Sequence, residues 1–148
     1  MSTYAQLLYQ IVFSTKNRNP VLIKSNRIEL FKYIRGIFES KKCLLYQING
    51  VEDHLHILTG VHPSISVSNL VKDIKIASSR FIQDNNLFPA FKGWQVGYGA
   101  FTYHINSKEA LSFYIEDQEE HHKKISFREE YIALMKEHNI EFEEKYLF

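Results

Sequence analysis

The sequence predicts one α+β domain with a ferredoxin-like, split βαβ order of elements around an antiparallel sheet. The chain has 148 residues, of which 45% are hydrophobic and 24% charged, and this is enough for one packed core. Strand-like and helix-like runs follow each other in the order β-α-β-β-α-β, and more helices come after them. Because no repeat or linker interrupts residues 1–148, we expect a core over 1–104 and a helical extension over 105–148.

The first half of the chain supplies three strands and one helix. Residues 7–13 form an apolar run typical of a buried strand, and residues 24–40 have apolar side chains at helical spacing. Residues 43–51 and 54–61 are two strands separated by a tight turn. The predicted apolar face of the helix consists of Ile28, Phe31, Ile34, Ile37 and Phe38. Since strand 54–61 is apolar on both faces, we expect both faces of the sheet to be covered.

The second half supplies the remaining strand and the added helices. Residues 66–84 form an amphipathic helix, and residues 94–104 form the fourth strand. A third helix is predicted over 107–122, with Asn106 as its cap, and it is the natural cover for the second face of the sheet. The Ser-Phe-Arg-Glu sequence that starts at Ser126 is a full capping box and opens a short last helix.

Composition excludes several classes of protein. The single cysteine, Cys43, rules out an internal disulfide framework and a cysteine-rich zinc module. No apolar run approaches the roughly 20 residues of a membrane helix. The N-terminus has no basic segment before an apolar run, so it does not resemble a secretory signal. We therefore expect a small soluble cytoplasmic protein without a membrane partner.

The net charge of +1 conceals an asymmetry along the chain. Residues 1–106 carry a net charge of +6, whereas residues 107–148 carry −5. A basic body can bind a polyanion, and an acidic tail can lie away from it or compete with it. The alternative is that both regions are ordinary solvated surfaces.

The first candidate site is the His54-Leu55-His56 sequence at the start of a predicted strand. Residues i and i+2 of a strand point to the same face, so the two imidazoles lie side by side and can share one cation. The alternative is a pair of structural histidines whose ring nitrogens bind the backbone.

The second candidate site lies on the predicted third helix. Tyr114 and Gln118 are four residues apart and therefore share a face. If that face covers the histidine strand, the amide oxygen of Gln118 completes a three-ligand metal site, with the phenol of Tyr114 one helical turn away. A metal-bound phosphate beside a phenol is a phosphoryl-transfer site. The alternatives are a core tyrosine and a surface glutamine.

These residues also carry a resemblance to a known family. His54-Leu55-His56, followed later by Tyr114-Ile-Glu-Asp-Gln118, resembles the HUH single-strand DNA transposases of small insertion sequences, of the TnpA type, which have one catalytic tyrosine. Further segments that match the family are residues 11–15, 53–57, 71–75, 96–102, 118–122 and 127–131. The ordered set covers nearly the whole chain.

The resemblance implies a site and a reaction. His54, His56 and Gln118 would be the metal ligands, and Tyr114 would attack the phosphate of single-stranded DNA. The products would be a 5′-phosphotyrosine link and a free 3′-hydroxyl, which can be rejoined to another strand without ATP. The family expectation for the divalent cation is magnesium or manganese. Two imidazoles and an amide, taken alone, suit manganese or zinc at least as well.

The resemblance also implies partners: single-stranded DNA with hairpin ends, and a second copy of the chain in a homodimer. The tyrosine helix would dock on the histidines of its own or of the partner subunit. The basic residues that we predict to contact DNA are Lys16, Arg18, Lys72, Lys75 and Arg80, and the alternative for each is a solvated surface. The host would be a bacterium or an archaeon.

Two other functions compete with transposition. One is a domesticated protein of the same fold that binds hairpin DNA without moving it. The other is a metal-dependent phosphodiesterase that uses water as its nucleophile and Tyr114 only for packing.

Overall fold

A computed structural model describes residues 2–147, and within them four strands and five α-helices follow the predicted order. The strands are β1 (Leu8–Ser14), β2 (Leu44–Gly50), β3 (His54–Gly60) and β4 (Gly99–Tyr103). The helices are α1 (Lys24–Ser40), α2 (Val67–Asp84), α3 (Lys108–Glu116), α4 (Gln118–His121) and α5 (Phe127–Glu137). No helix in residues 2–147 is both long enough and apolar enough to cross a membrane.

The strands form one antiparallel sheet in the order β2-β3-β1-β4, which confirms the predicted split βαβ arrangement. In the register of the two central strands, Ser14 lies opposite His54 and Val12 lies opposite His56. Because side chains alternate along a strand, these four residues share one face of the sheet.

Helices α1 and α2 cover the other face. Their apolar side chains pack on the inward residues of β1 and β3, which are Ile11, Phe13, Leu55 and Ile57. The prediction that Ile28 belongs to this core is wrong, since its side chain is 63% exposed. The buried stripe of α1 runs instead through Arg27, Leu30, Ile34 and Phe38, at intervals of three or four residues, and Ile28 lies to one side of it.

Helices α3 and α5 cover the face that carries the histidines. Ile115 of α3 packs against Leu8 and Leu58 of the two central strands. Residues of α5, among them Leu134, pack against Val12 and Phe101. Both faces of the sheet are therefore covered, as predicted, although the last helix shares the second face with the third.

The fourth strand is shorter than predicted and starts at Gly99 instead of residue 94. Trp94 forms only an isolated bridge to Thr15. Gly97 has a φ of 94°, which takes the chain out of the extended conformation. The Lys75 ammonium donates hydrogen bonds to the backbone carbonyls of Gln95 and Gly97 and holds this segment as a loop.

The predicted third helix, 107–122, is interrupted at Asp117, where ψ is 17°, and this divides it into α3 and α4. The Asn49 side-chain amide donates hydrogen bonds to the carbonyls of Ile115 (3.1 Å) and Glu116 (2.9 Å) and so satisfies the end of α3. The predicted cap is also wrong: Asn106 lies in a 3-10 turn, and Ser107 precedes α3 without a side-chain capping bond.

Candidate metal centre and tyrosine site

The two strand histidines point from β3 into the layer between the sheet and helices α3 to α5. Both are fully buried. His54 Nδ1 lies 2.7 Å from the Asp53 carboxylate, and His56 Nδ1 lies 2.8 Å from the Gln10 side-chain oxygen. With a metal bound, these acceptors would favour a proton on each Nδ1 and leave both Nε2 lone pairs to the ion. In the metal-free protein each Nε2 faces the Glu130 carboxylate instead.

The ring of His54 is also fixed by stacking. It lies parallel to the ring of Phe127, the first residue of α5, with centroids 3.8 Å apart and planes 8° from parallel. The last helix therefore helps to set the direction in which this imidazole points.

Glu130 of α5 lies at the centre of the site. Its side chain is almost completely buried. Carboxylate Oε1 is 2.8 Å from His56 Nε2, 3.1 Å from His122 Nε2 and 3.4 Å from His54 Nε2. Three imidazoles thus converge on one carboxylate oxygen.

Glu130 was not among the site residues predicted from the sequence. A signal for it exists, because the residue shares a helical spacing with Phe127, Tyr131 and Leu134, all of which are buried. A carboxylate on the apolar face of a short helix requires partners, and this is typical of a functional residue.

The segment around α4 supplies two more side chains. Gln118 is fully buried, with its Oε1 3.4 Å from His54 Nε2 and its Nε2 donating to Glu130 Oε2 at 3.2 Å. His122 lies closer, with its Nε2 3.0 Å from His54 Nε2. His122 was not among the ligands predicted from the sequence.

Tyr114 projects from α3 into the same cluster. Its hydroxyl donates a short hydrogen bond to Glu130 Oε2 and lies 3.4 Å from His121 Nε2. A cavity of about 290 Å³ opens beside the phenol, with Tyr114, His121 and Glu130 in its wall. The structure thus brings together Tyr114, His54, His56 and Gln118, all within one chain.

The electrostatics of the site favour a neutral ring at His56 and an ionised carboxylate at Glu130. Burial lowers the pKa of His56 to about 4, so this ring is neutral at pH 7. Burial opposes the charge on Glu130, but hydrogen bonds from His122, His54 and His56 outweigh it and hold the pKa of the carboxyl far below its usual value. Burial also opposes protonation of His54, but Asp53 and Glu130 outweigh it and raise its pKa.

The surroundings of the Tyr114 phenol oppose its ionisation. Burial and the adjacent Glu130 carboxylate raise the pKa of Tyr114 well above its usual value. The phenol is therefore protonated at neutral pH, and its proton lies in the hydrogen bond to Glu130.

The donor atoms fit a divalent cation. His54, His56, His122 and Glu130 each offer one ligand atom, and these atoms all lie within 4.8 Å of one another. Ligands bound to one ion at about 2.1 Å are separated from each other by about 3.0 to 3.4 Å. The Nε2 atoms of the three histidines lie 2.8 to 3.4 Å from Glu130 Oε1, and these separations are close to that range.

The predicted DNA-binding residues lie in two places. Lys16 and Arg18 form a 3-10 turn directly after β1, next to the strand end that carries His54. Lys72 and Arg80 are exposed on α2, which packs on the opposite face of the sheet from the histidines. Lys75, also on α2, is half-buried, and its ammonium binds the loop carbonyls described above.

Comparison with known proteins identifies the family. Residues 3–118 match the model of the family described as "Transposase IS200 like". The ISDra2 transposase TnpA of Deinococcus radiodurans is 27% identical over 118 residues, which cover 76% of this chain and 84% of that protein.

Two solved structures share the fold. A crystal structure of a candidate transposase from Deinococcus radiodurans R1 aligns with a TM-score of 0.63 and 25% identity, over 80% of this chain and 95% of that one. A REP-associated tyrosine transposase bound to a REP hairpin aligns with a TM-score of 0.57 and 15% identity, over 79% and 72% of the two chains. The family match spans most of the sequence, and the chain therefore belongs to the IS200-like transposase family.

Proposed function

We propose that this protein is a transposase that cleaves and rejoins single-stranded DNA at the ends of an insertion sequence, with Tyr114 as the nucleophile. One observation carries the proposal: the Tyr114 hydroxyl donates to a buried carboxylate that three histidine nitrogens also contact. A phenol, a proton acceptor and a set of metal ligands are the groups that phosphoryl transfer to tyrosine requires.

The residues have distinct roles in this proposal. Tyr114 Oη attacks the phosphorus, the bond from phosphorus to the 3′ oxygen breaks, and a 5′-phosphotyrosine and a free 3′-hydroxyl result. Glu130 accepts the phenol proton through the hydrogen bond already present, and the departing 3′ oxygen takes up a proton. Attack by another 3′-hydroxyl reverses the step and joins the strands.

His54, His56 and Gln118 would hold a magnesium or manganese ion, together with His122 and Glu130, whose ligand atoms lie in the same cluster. Such an ion supplies charge stabilisation at the scissile phosphate. Asp53 and Gln10 orient the two strand histidines for that purpose.

We infer that the substrate carries hairpin ends and that the protein acts as a homodimer. The fold is shared with a REP-associated tyrosine transposase that was solved with a REP hairpin. Lys16 and Arg18, beside the end of β1, and Lys72, Lys75 and Arg80, on α2, remain our proposed contacts to DNA.

A covalent-adduct assay tests the proposed function. Labelled single strands from both flanks of the gene are incubated with protein and Mg²⁺ or Mn²⁺ and separated on denaturing gels. We expect label on the wild type and on the control Tyr33→Phe, whose ring stacks on Phe81 away from the site, and none on Tyr114→Phe.

Other outcomes would each contradict the proposal in a defined way. An adduct on Tyr114→Phe means that another residue is the nucleophile. Cleavage without an adduct indicates a phosphodiesterase. Hairpin binding without cleavage indicates a domesticated DNA-binding protein.

A further inference from the structure

A second concave surface lies at the end of the sheet that carries His54. It is a groove of about 570 Å³ built from three separate segments, and each segment contributes one lysine. The lysines are Lys16 after β1, Lys92 in the loop before β4, and Lys145 in the C-terminal tail. No acidic side chain of residues 2–147 lines the groove.

The positive charge of this groove is largely uncompensated. In the described part of the chain, Lys16 and Lys92 form no ion pair, and both are exposed. Lys145 approaches Glu143 at 3.5 Å, but both side chains are about two-thirds exposed, and such pairs are weak. The groove therefore favours an anionic ligand.

The groove also presents an aromatic surface. The ring of Tyr146 is 75% exposed, and the Lys145 ammonium lies 4.9 Å from its centroid. Trp94 forms a wall rather than a platform, because its ring is buried and its indole nitrogen donates to Ser78 at 2.9 Å. An exposed ring among cations is the combination that binds bases and phosphates of a single strand.

The groove adjoins the end of the sheet that carries His54 of the candidate metal centre. Lys16 follows Ser14 by two residues, and Ser14 lies opposite His54 in the sheet. The backbone nitrogen of Thr15 donates to the Asp53 carbonyl at 2.8 Å. From the other side, Leu147 of the tail packs in the same cluster as Phe127, which stacks on His54.

From this charge, this aromatic ring and this position, we infer that the groove binds the single-stranded DNA segment adjacent to the cleaved phosphate, with the three lysines on phosphates and Tyr146 stacked on a base. The inference rests on the proposed function, for which it names the substrate-binding surface. Two of its elements, Lys145 and Tyr146, lie outside the residues 3–118 that match the family.

Binding is measured by fluorescence anisotropy with a labelled oligothymidylate, in EDTA and in the Tyr114→Phe background, so that no cleavage occurs. The triple variant Lys16→Gln, Lys92→Gln, Lys145→Gln is compared with a control, Lys42→Gln, Lys108→Gln, Lys136→Gln, that removes the same charge elsewhere. Loss of three phosphate contacts lowers the slope of log affinity against log salt by about two, and weakens binding about tenfold or more. The control retains the original slope.

A second substitution tests the stacking separately. Tyr146→Leu leaves the salt slope unchanged and weakens binding about fivefold or more, and this loss disappears with an abasic strand. The control is Tyr4→Leu, which removes a ring that is 92% exposed at the other end of the chain. Because the side chains of Lys16, Lys92, Lys145 and Tyr146 are all exposed, circular dichroism and melting temperature should not change in the groove variants.

The result that overturns the inference is equal affinity and equal salt slope for the groove variant and its control. An equal loss on duplex and single-stranded DNA also overturns it, because it shows a general polyanion surface. If the wild type forms no covalent adduct but the groove variant still loses oligothymidylate, the proposed function fails and the groove stands. If the adduct forms and the groove variants bind normally, only the groove fails.

Discussion

Glu130 connects the two halves of the site at the level of single residues. One carboxylate oxygen faces three histidines, and the other faces Tyr114, His121 and Gln118. The same group can therefore ligate a cation and hold the proton of the nucleophile. Its burial and charge make it more sensitive to substitution than any exposed acid of the chain.

Glu130→Gln should weaken Mn²⁺ binding at least about tenfold, because it removes a charged ligand and keeps the shape of the side chain. Strand cleavage should fall as well, since an amide does not accept the phenol proton. Isothermal titration with Mn²⁺ measures the first effect. Glu39→Gln, an exposed acid on α1, is the control, and equal affinity for both variants would contradict the assigned role.

His56 gives the metal-free protein a defined pH dependence. Its folded pKa of about 4 lies below the ordinary value of 6.5, so between these values the unfolded chain binds more protons. The stabilisation by the neutral ring is fully present above pH 6.5. As the pH falls toward 4, the free energy of unfolding therefore decreases by up to about 3 kcal/mol.

We therefore expect the free energy of unfolding of the wild type to fall more steeply from pH 7 to pH 4 than that of His56→Asn. Urea denaturation in EDTA at several pH values measures both slopes. The same substitution at the exposed His62 should leave the wild-type slope intact. Parallel curves for wild type and His56→Asn would be inconsistent with a buried neutral imidazole.

The sequence was sufficient to predict those site residues whose side-chain direction depends only on local strand or helix geometry. Alternation along a strand placed His54 and His56 together, and the four-residue interval placed Tyr114 with Gln118. Glu130 was missed because its position depends on how α5 packs across the sheet, which no local spacing specifies. The buried residues on either side of it were the available signal.

Among the elements, helix α5 holds the side chains of the site in place. Ser126 and Glu129 form the predicted capping box, with the Ser126 hydroxyl 3.2 Å from the Glu129 backbone nitrogen. The capping box fixes the first turn of α5. In this turn Phe127 stacks on His54, and Glu130 lies among the histidines. We therefore expect the stability of this turn to affect metal affinity.

Ser126→Ala should destabilise the protein by about 1 kcal/mol and lower its melting temperature by about 2 to 4 °C. Mn²⁺ affinity should decrease at the same time, because the turn that holds Glu130 loses its cap. Ser126→Thr keeps the hydroxyl and serves as the matched control. Melting curves in EDTA and in Mn²⁺ measure both effects. Equal melting temperatures for the alanine and threonine variants would show that the cap does not stabilise this turn.

Element boundaries were predicted less well than element order. The start of β4 and the interruption at Asp117 both depend on distant side chains, Lys75 and Asn49, that bind backbone carbonyls. Such contacts are tertiary, and local propensity does not contain them.

On the scale of the whole molecule, the acidic C-terminal region partly neutralises the basic body instead of lying away from it. Glu119 of α4 contacts Lys24 at 2.9 Å and Arg27 at 3.6 Å, both on α1. The four candidate metal ligands likewise come from β3, from His122 just after α4, and from α5, and β3 is remote in sequence from the other two. A bound cation would therefore tie the C-terminal helices to the sheet.

Metal binding should stabilise the fold by mass action. At one hundred times its dissociation constant, Mn²⁺ would add about 2.7 kcal/mol to the free energy of unfolding, a rise in melting temperature of about 5 to 10 °C. His54→Asn should abolish most of this rise, whereas Tyr114→Phe, which leaves the ligands intact, should retain it. Thermal melts at a series of free Mn²⁺ concentrations set by a chelator measure the rise in melting temperature of both variants. An equal rise in both would exclude the assigned ligands.

The central claim is that Tyr114 becomes covalently attached to the 5′ end of the cleaved strand. Trypsin releases it in the peptide 109–123, in which it is the sole tyrosine, so the attachment site can be read directly by mass spectrometry after nuclease treatment. We expect a nucleotide mass on Tyr114 in samples incubated with single-stranded DNA and Mn²⁺. An unmodified 109–123 peptide from a reaction that has cleaved its DNA, or a nucleotide on another residue, would contradict it.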